Sequence, residues 1–299
     1  MSPEPITNIL HGSFSSINPR KWPLFSGTVL SCLVAIMYAP VLGAMARQWW
    51  DDPNYGHAML VPVFVAYVLW RKRAAWSAVT VQPSDYGLPI MLLALGLLLF
   101  GMLSAELFTT RFSLIILILG IIVFLTGWQA LRSIAFPLGY LIFIIPLPAL
   151  IYYELTFPLQ LWASALGAHG LVLLGVHTVR QGNLLILPNL TLEVVEACSG
   201  VRSLLSLLTA VVAYAYLADK SAWKRCLLIS LTIPIVILSN ALRLVTTGVL
   251  SYVCGRGVDV GTVHELIGLI FFVLAFLSIL MIHRLLRHFA LLRNPEQAQ

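Results

Sequence analysis
Long apolar stretches alternate with short polar joints along the chain. They run Trp22–Ala46, His57–Trp70, Leu88–Leu103, Phe112–Trp128, Ile134–Tyr153, Val201–Ala218, Cys226–Leu250 and Val263–Ile282. A helix needs about 20 apolar residues to cross a bilayer. Helices are the default there, because backbone in lipid must hydrogen-bond within its own segment. His57–Trp70 is short, but the tyrosine and tryptophan at its ends suit the interface and Arg71 can snorkel. Trp22–Ala46 exceeds the roughly 7–15 residues of a signal-peptide core, so despite Ala44-Met45-Ala46 it reads as an uncleaved first span. The pattern predicts an all-α polytopic membrane protein of about eight transmembrane helices.

Two segments break the rhythm. Pro158–Val176 is long enough to span, yet a ninth crossing there puts Lys220, Lys224 and Arg225 on the wrong side. It is therefore expected as a re-entrant or interfacial helix with Gln160, Ser164 and His169 on polar positions. Thr178–Leu187 and Leu190–Ala197 show partial polar/apolar alternation around Pro188-Asn189, the mark of a small outer β-hairpin leading into Cys198.

Composition removes whole classes of protein. The 299 residues are 60% hydrophobic and 10% charged, against roughly 45–50% and 25% in soluble domains. A soluble enzyme, a disulfide-rich secreted domain and a disordered chain are excluded. The net charge of +6 does not call for nucleic acid, because cytoplasmic loops collect Lys and Arg. With both termini inside, the inner set is Arg20, Lys21, Arg71, Lys72, Arg73, Arg132, Lys220, Lys224, Arg225, Arg284, Arg287 and Arg293. The outer set is Arg47, Arg111, Arg180, Arg202, Arg243 and Arg256, making 12 against 6. The positive-inside rule favours this orientation, with residues 1–21 and 284–299 cytoplasmic and 22–283 one polytopic transmembrane domain.

That orientation places three polar groups at one face. Glu196-Ala197-Cys198-Ser199-Gly200-Val201-Arg202 opens the sixth run. Asn240-Ala241-Leu242-Arg243 lies near the outer end of the seventh, and His264-Glu265-Leu266-Ile267-Gly268 opens the eighth. Cys198 stands at a strand-to-helix junction with Ser199 as candidate N-cap, where the helix dipole lowers a thiol pKa. On a helical backbone Arg202 falls on its face. Cys198 reads as a nucleophile, as an inert buried cysteine, or as a disulfide partner of Cys254. Arg243 reads as an oxyanion or thiolate stabiliser sharing a face with Asn240, or as an arginine snorkelling to headgroups. His264 reads as a general acid/base or as an interfacial histidine. Zinc held by Cys198, Cys254 and His264 lacks paired ligand spacing, so no metal is expected. His57, after Asp51 and Asp52, lines the site or caps its helix, and Glu106 and Arg111 can pair.

These motifs resemble the exosortase/archaeosortase family. Tyr55-Gly56-His57-Ala58-Met59-Leu60-Val61-Pro62 and Ile145-Pro146-Leu147-Pro148 match its habits in order, so the resemblance covers about His57 to Gly268. It implies a bacterial inner-membrane cysteine protease or transpeptidase with its active site at the periplasmic face. Its substrates are membrane-anchored secreted proteins with a carboxy-terminal sorting signal of the PEP-CTERM type: a Pro-Glu-Pro-like motif, one transmembrane helix and a basic end. It implies Cys198 as nucleophile, Arg243 as electrostatic stabiliser and His264 as acid/base, no cofactor, and an acceptor amine that the residues do not name. Glu196, Ser199, Arg202, Asn240 and His57 are supporting candidates. The rival readings are a secondary transporter using its intramembrane polar groups and a scaffold of a polysaccharide-export system.

Overall fold
The computed structural model describes residues 22–188, 191–194, 200–254 and 260–293. Ten α-helices and three short strands are present among them. They gather into two compact units, residues 1–51 with 58–146, and 52–57 with 147–299.

The first unit holds α1 (Trp22–Asp51), α2 (Leu60–Arg71), α3 (Arg73–Ser77), α4 (Gly87–Leu103), α5 (Leu107–Thr126) and α6 (Trp128–Tyr140). Its core packs Tyr38, Ala94, Leu98, Leu114 and Leu117, with the Tyr38 hydroxyl 2.7 Å from Ser113 Oγ. Glu106 starts α5 as its N-cap, accepting hydrogen bonds from the Phe108 and Thr109 N–H groups. Burial alone raises the Glu106 pKa, but these donors and the charge of Arg111 outweigh it and hold the carboxyl below its usual range. Arg111 itself is buried on α5.

The second unit holds α7 (Ala149–Leu173), strands β1 (Val179–Gln181), β2 (Leu184–Ile186) and β3 (Thr191–Glu193), then α8 (Val201–Ala218), α9 (Ala222–Cys254) and α10 (Val260–Arg293). Leu207, Val211 and Ala215 of α8 meet Leu228 and Val236 of α9 and Ala275 and Ile279 of α10. A second cluster joins Ala163, Ala168 and Leu171 of α7 to Leu185 and Leu187, to Val194, and to Leu244 of α9. The sheet is thereby seated on helix side chains. Ser164 Oγ, fully buried, donates to Gly182 O at 2.8 Å and receives the Arg180 Nε–H at 3.0 Å. Leu266, Leu269, Ile270, Val273 and Leu277 of α10 are exposed, as lipid-facing side chains are.

The all-α polytopic class holds, with three differences from the sequence expectation. Five described helices are long and apolar enough to cross a membrane: Cys32–Asp51, Leu107–Thr126, Val201–Ala218, Ala222–Val253 and Glu265–His288. Trp128–Ile144 and Ala149–Leu173 qualify only when taken together, and Gly56–Arg71 and Gly87–Leu103 are apolar but shorter. The expected eight is not reached by that measure, since the 17 residues of α4 span only about 26 Å against a core of about 30 Å.

Second, no separate helix begins at Pro158. The chain breaks at Ile145, extended at φ −95° and ψ 121° before Pro146, and α7 then runs 25 residues straight through Pro158. Residues before proline are driven out of helical geometry, whereas an internal proline removes only one helix bond and can be carried by neighbours. Third, Thr178–Leu187 is itself a hairpin. β1 pairs β2 across Gly182-Asn183, with Gly182 at φ +65° in the first turn position, and β3 adds antiparallel to make a three-stranded sheet.

Candidate functional site
The site is built where α8, α9 and α10 meet. Gly200 is the N-cap of α8, left-handed at φ +85° and ψ −3°, a conformation that favours glycine. A Cβ there would stand 3.2 Å from Asn240 Cγ and 3.3 Å from its Nδ2, so the glycine makes room for the amide. Asn240 is buried on α9, and Arg243 follows one turn later. The Arg243 guanidinium lies against the backbone of Gly268 on α10, where an added Cβ would fall 2.8 Å from its Cζ. Ser239 Oγ donates to Phe271 O at 2.9 Å and ties the same stretches of α9 and α10 together.

Arg243, Asn240, Ser239 and Ser203 form the polar wall of a narrow crevice whose apolar wall includes Leu207, Val236, Phe272 and Ala275. Asn240 also lines a neighbouring crevice with Gly200 and Leu204. A guanidinium held between two helices can meet negative charge developing in the crevice. His264 lies one helical turn before Gly268, about 6 Å along α10; it is described by its backbone.

The supporting residues divide. The Arg202 side chain turns to the preceding 52–57 segment, donating Nε–H to Asn54 Oδ1 at 2.9 Å. The helical backbone on which its expected place beside Cys198 relies starts at Val201, after the left-handed Gly200. Gly200, not Ser199, occupies the N-cap position. His57 Nδ1 is 3.3 Å from Ser206 Oγ, one turn beyond Arg202. Two side-chain contacts thus fasten residues 52–57 to the first turns of α8. Glu196, Cys198 and Ser199 lie outside the described residues, as do the Cys254 side chain and its suggested disulfide.

Several participants escape a reading by residue chemistry. Asn54, Ser203 and Ser206 carry no signal of their own, although Arg202 and Ser206 share a face by their spacing of four. Gly268 was legible as an anomaly, since glycine inside a helix costs about 1 kcal/mol and asks for a packing reason.

Long apolar helices of spanning length define a multi-pass membrane protein, with a crevice among α8, α9 and α10 as its candidate site. The family model described as transmembrane exosortase matches residues 49–281. The chain belongs to the transmembrane exosortase family, and its function is of the exosortase type. No match was found among curated proteins or among solved structures.

Proposed function
We propose that the protein cleaves the carboxy-terminal sorting signal of membrane-anchored secreted proteins at the outer face of the bacterial inner membrane, through a Cys198 thioacyl intermediate. The observation that supports this is the convergence of three segments about Asn240 and Arg243. Gly200, two residues after Cys198, packs on Asn240, and Arg243 packs on Gly268, one turn after His264.

In this reading His264 takes the Cys198 proton and the thiolate attacks the scissile carbonyl carbon. Arg243 faces the oxyanion as it forms. When the intermediate collapses the C–N bond breaks, the acyl group stays on sulfur, and His264 returns the proton to the leaving amine. Water then gives proteolysis; a second amine gives transpeptidation. A substrate held by its own membrane helix is confined near the crevice before tight contact forms. A Pro-Glu-Pro-like signal followed by one helix and a basic end is the substrate class.

The test is co-expression with a protein ending in such a signal. Wild type is expected to process it, while Cys198→Ala accumulates the uncleaved form at normal membrane abundance, and mass spectrometry of trapped enzyme finds an acyl group on Cys198. Cleavage unaffected by Cys198→Ala removes the thiol mechanism and favours the transporter reading.

A further inference from the structure
We infer that the open edge of β3 is a docking strand for an extended polypeptide, pairing with the substrate backbone next to the proposed nucleophile; this rests on the protease reading above. The register decides which groups the edge offers. Leu185 faces Leu192, Leu184 faces Glu193 and Ile186 faces Thr191. The Val194 N–H donates to Asn183 O at 2.9 Å, so that pair is hydrogen-bonded. Antiparallel pairs alternate, which makes Leu185–Leu192 the next bonded pair. The backbone N–H and C=O of Thr191 and Glu193 therefore point away from β2.

Side chains agree with this parity. Val194 is fully buried and Leu192 packs on the core cluster, while Thr191 and Glu193 are exposed. In the strand order β1-β2-β3, β3 has no second neighbour among the described residues.

The two edges are not equivalent. The sheet's β1 side is fastened to α7, through Arg180 Nε and Ser164 Oγ. β3 instead ends beside α9: Val194 shares its core cluster with Leu244, the residue after Arg243, and Cys198 follows Glu193 by five residues in the sequence. An extended chain laid along β3 can thus bring one of its carbonyls to the crevice while its neighbours stay in register. Strand addition recognises backbone through main-chain hydrogen bonds, with side chains read at alternate positions. The occupant fits an extended, proline-bearing segment just outside a membrane anchor, since proline is tolerated wherever its missing N–H faces away from the pairing strand.

Proline can also be placed in the docking strand itself. Glu193→Pro deletes an N–H that faces the open edge and leaves the β2–β3 bonds intact, whereas Glu193→Ala keeps it. In reconstituted full-length protein given a reporter that carries a Pro-Glu-Pro sorting signal, Glu193→Pro is expected to slow processing by about tenfold, the upper range for one hydrogen bond. Glu193→Ala is expected to stay within about twofold. Equal rates for Glu193→Pro and wild type overturn the proposal. Two further measurements guard against a misfolded variant. A photo-crosslinker at position 193 of otherwise wild-type protein is expected to capture the reporter, and one at 181 is not; capture at 181 alone overturns the proposal. N-methylating successive reporter amides is expected to inhibit with a period of two, and an even response overturns it. A wild type that cleaves nothing sinks the protease reading, while the crosslinking still decides whether β3 is a docking edge.

Discussion

Arg243 lies close against α10 because position 268 has no side chain. The clearance is small: a methyl group there would fall 2.8 Å from Cζ and 3.0 Å from Nε, inside contact distance, so the guanidinium must move. Gly268→Ala is therefore expected to reduce processing by about 10- to 100-fold, less than full loss of an oxyanion donor. Because the displaced atoms are the far end of a flexible side chain, the change in stability is expected to stay within about 1 kcal/mol. Processing rate and thermal unfolding measured on the same preparation check this. Gly96→Ala on α4, where a Cβ meets nothing within 4 Å, is the control: processing should be unchanged and unfolding no lower, since alanine favours helix over glycine by about 1 kcal/mol. Sequence reading at this scale located the arginine but not its seat, because nothing in the chain states that α9 faces α10 at those two positions. Arg202 shows the opposite failure. Its place in the first turn of α8 was legible, yet its partner Asn54 lies 148 residues away and no local pattern announces it.

Between elements, the joint linking α8 to α9 is clasped to α10. His283 Nε2 is 3.3 Å from Asp219 Oδ2, and the Tyr214 hydroxyl is 2.6 Å from His283 Nδ1. Asp219 also accepts from the Ser221 N–H at 2.8 Å and lies 3.5 Å from Lys224 Nζ. Burial alone raises the Asp219 pKa, but the Ser221, His283 and Lys224 contacts outweigh it and hold the carboxyl below its usual range. A carboxyl lowered in the folded state stabilises fully above its unfolded pKa and loses that contribution as pH falls through the folded one. Asp219→Asn is expected to unfold at lower temperature than wild type near neutral pH. The gap should begin to close below about pH 4, where an unfolded aspartate protonates, and vanish below the folded pKa. Unfolding scans of both proteins across that range check it; a constant gap contradicts it. The sequence announced α8, α9 and α10 well, since their apolar runs are long enough to outweigh the few polar residues within them. It misplaced the break before α7 because two nearby proline sites compete, Pro146-Leu147-Pro148 and Pro158. Only tertiary support decides which one a helix tolerates.

For the molecule as a whole, charge placement predicts orientation in a way that accessibility labelling can check. With the other cysteines replaced by serine, a cysteine at position 72 or 220 is expected to react with an impermeant reagent only from the cytoplasmic side. A cysteine at position 181 is expected to react only from the outside; the reverse pattern inverts the topology. Lys72, Gln181 and Lys220 are all exposed, so folding does not hide them. The polytopic helical class was legible because apolar runs dominate the chain, while the number of crossings was not, since α2 and α4 are near the length at which apolarity stops deciding. One packing feature reaches further, into how the chain can drift over evolutionary time. Gly167 and Gly170 of α7 take Leu244 and Val245 of α9 so closely that a Cβ at either would fall 2.5 Å from a side-chain carbon, and Gly248 of α9 receives Leu171 in return at 2.9 Å. In lipid, such knitting replaces the water-driven force that holds soluble helices together. Substitutions should therefore accumulate on the exposed stripe of α10 and be purged at these three glycines, leaving the α7–α9 pair as the slowest-changing surface of the second unit.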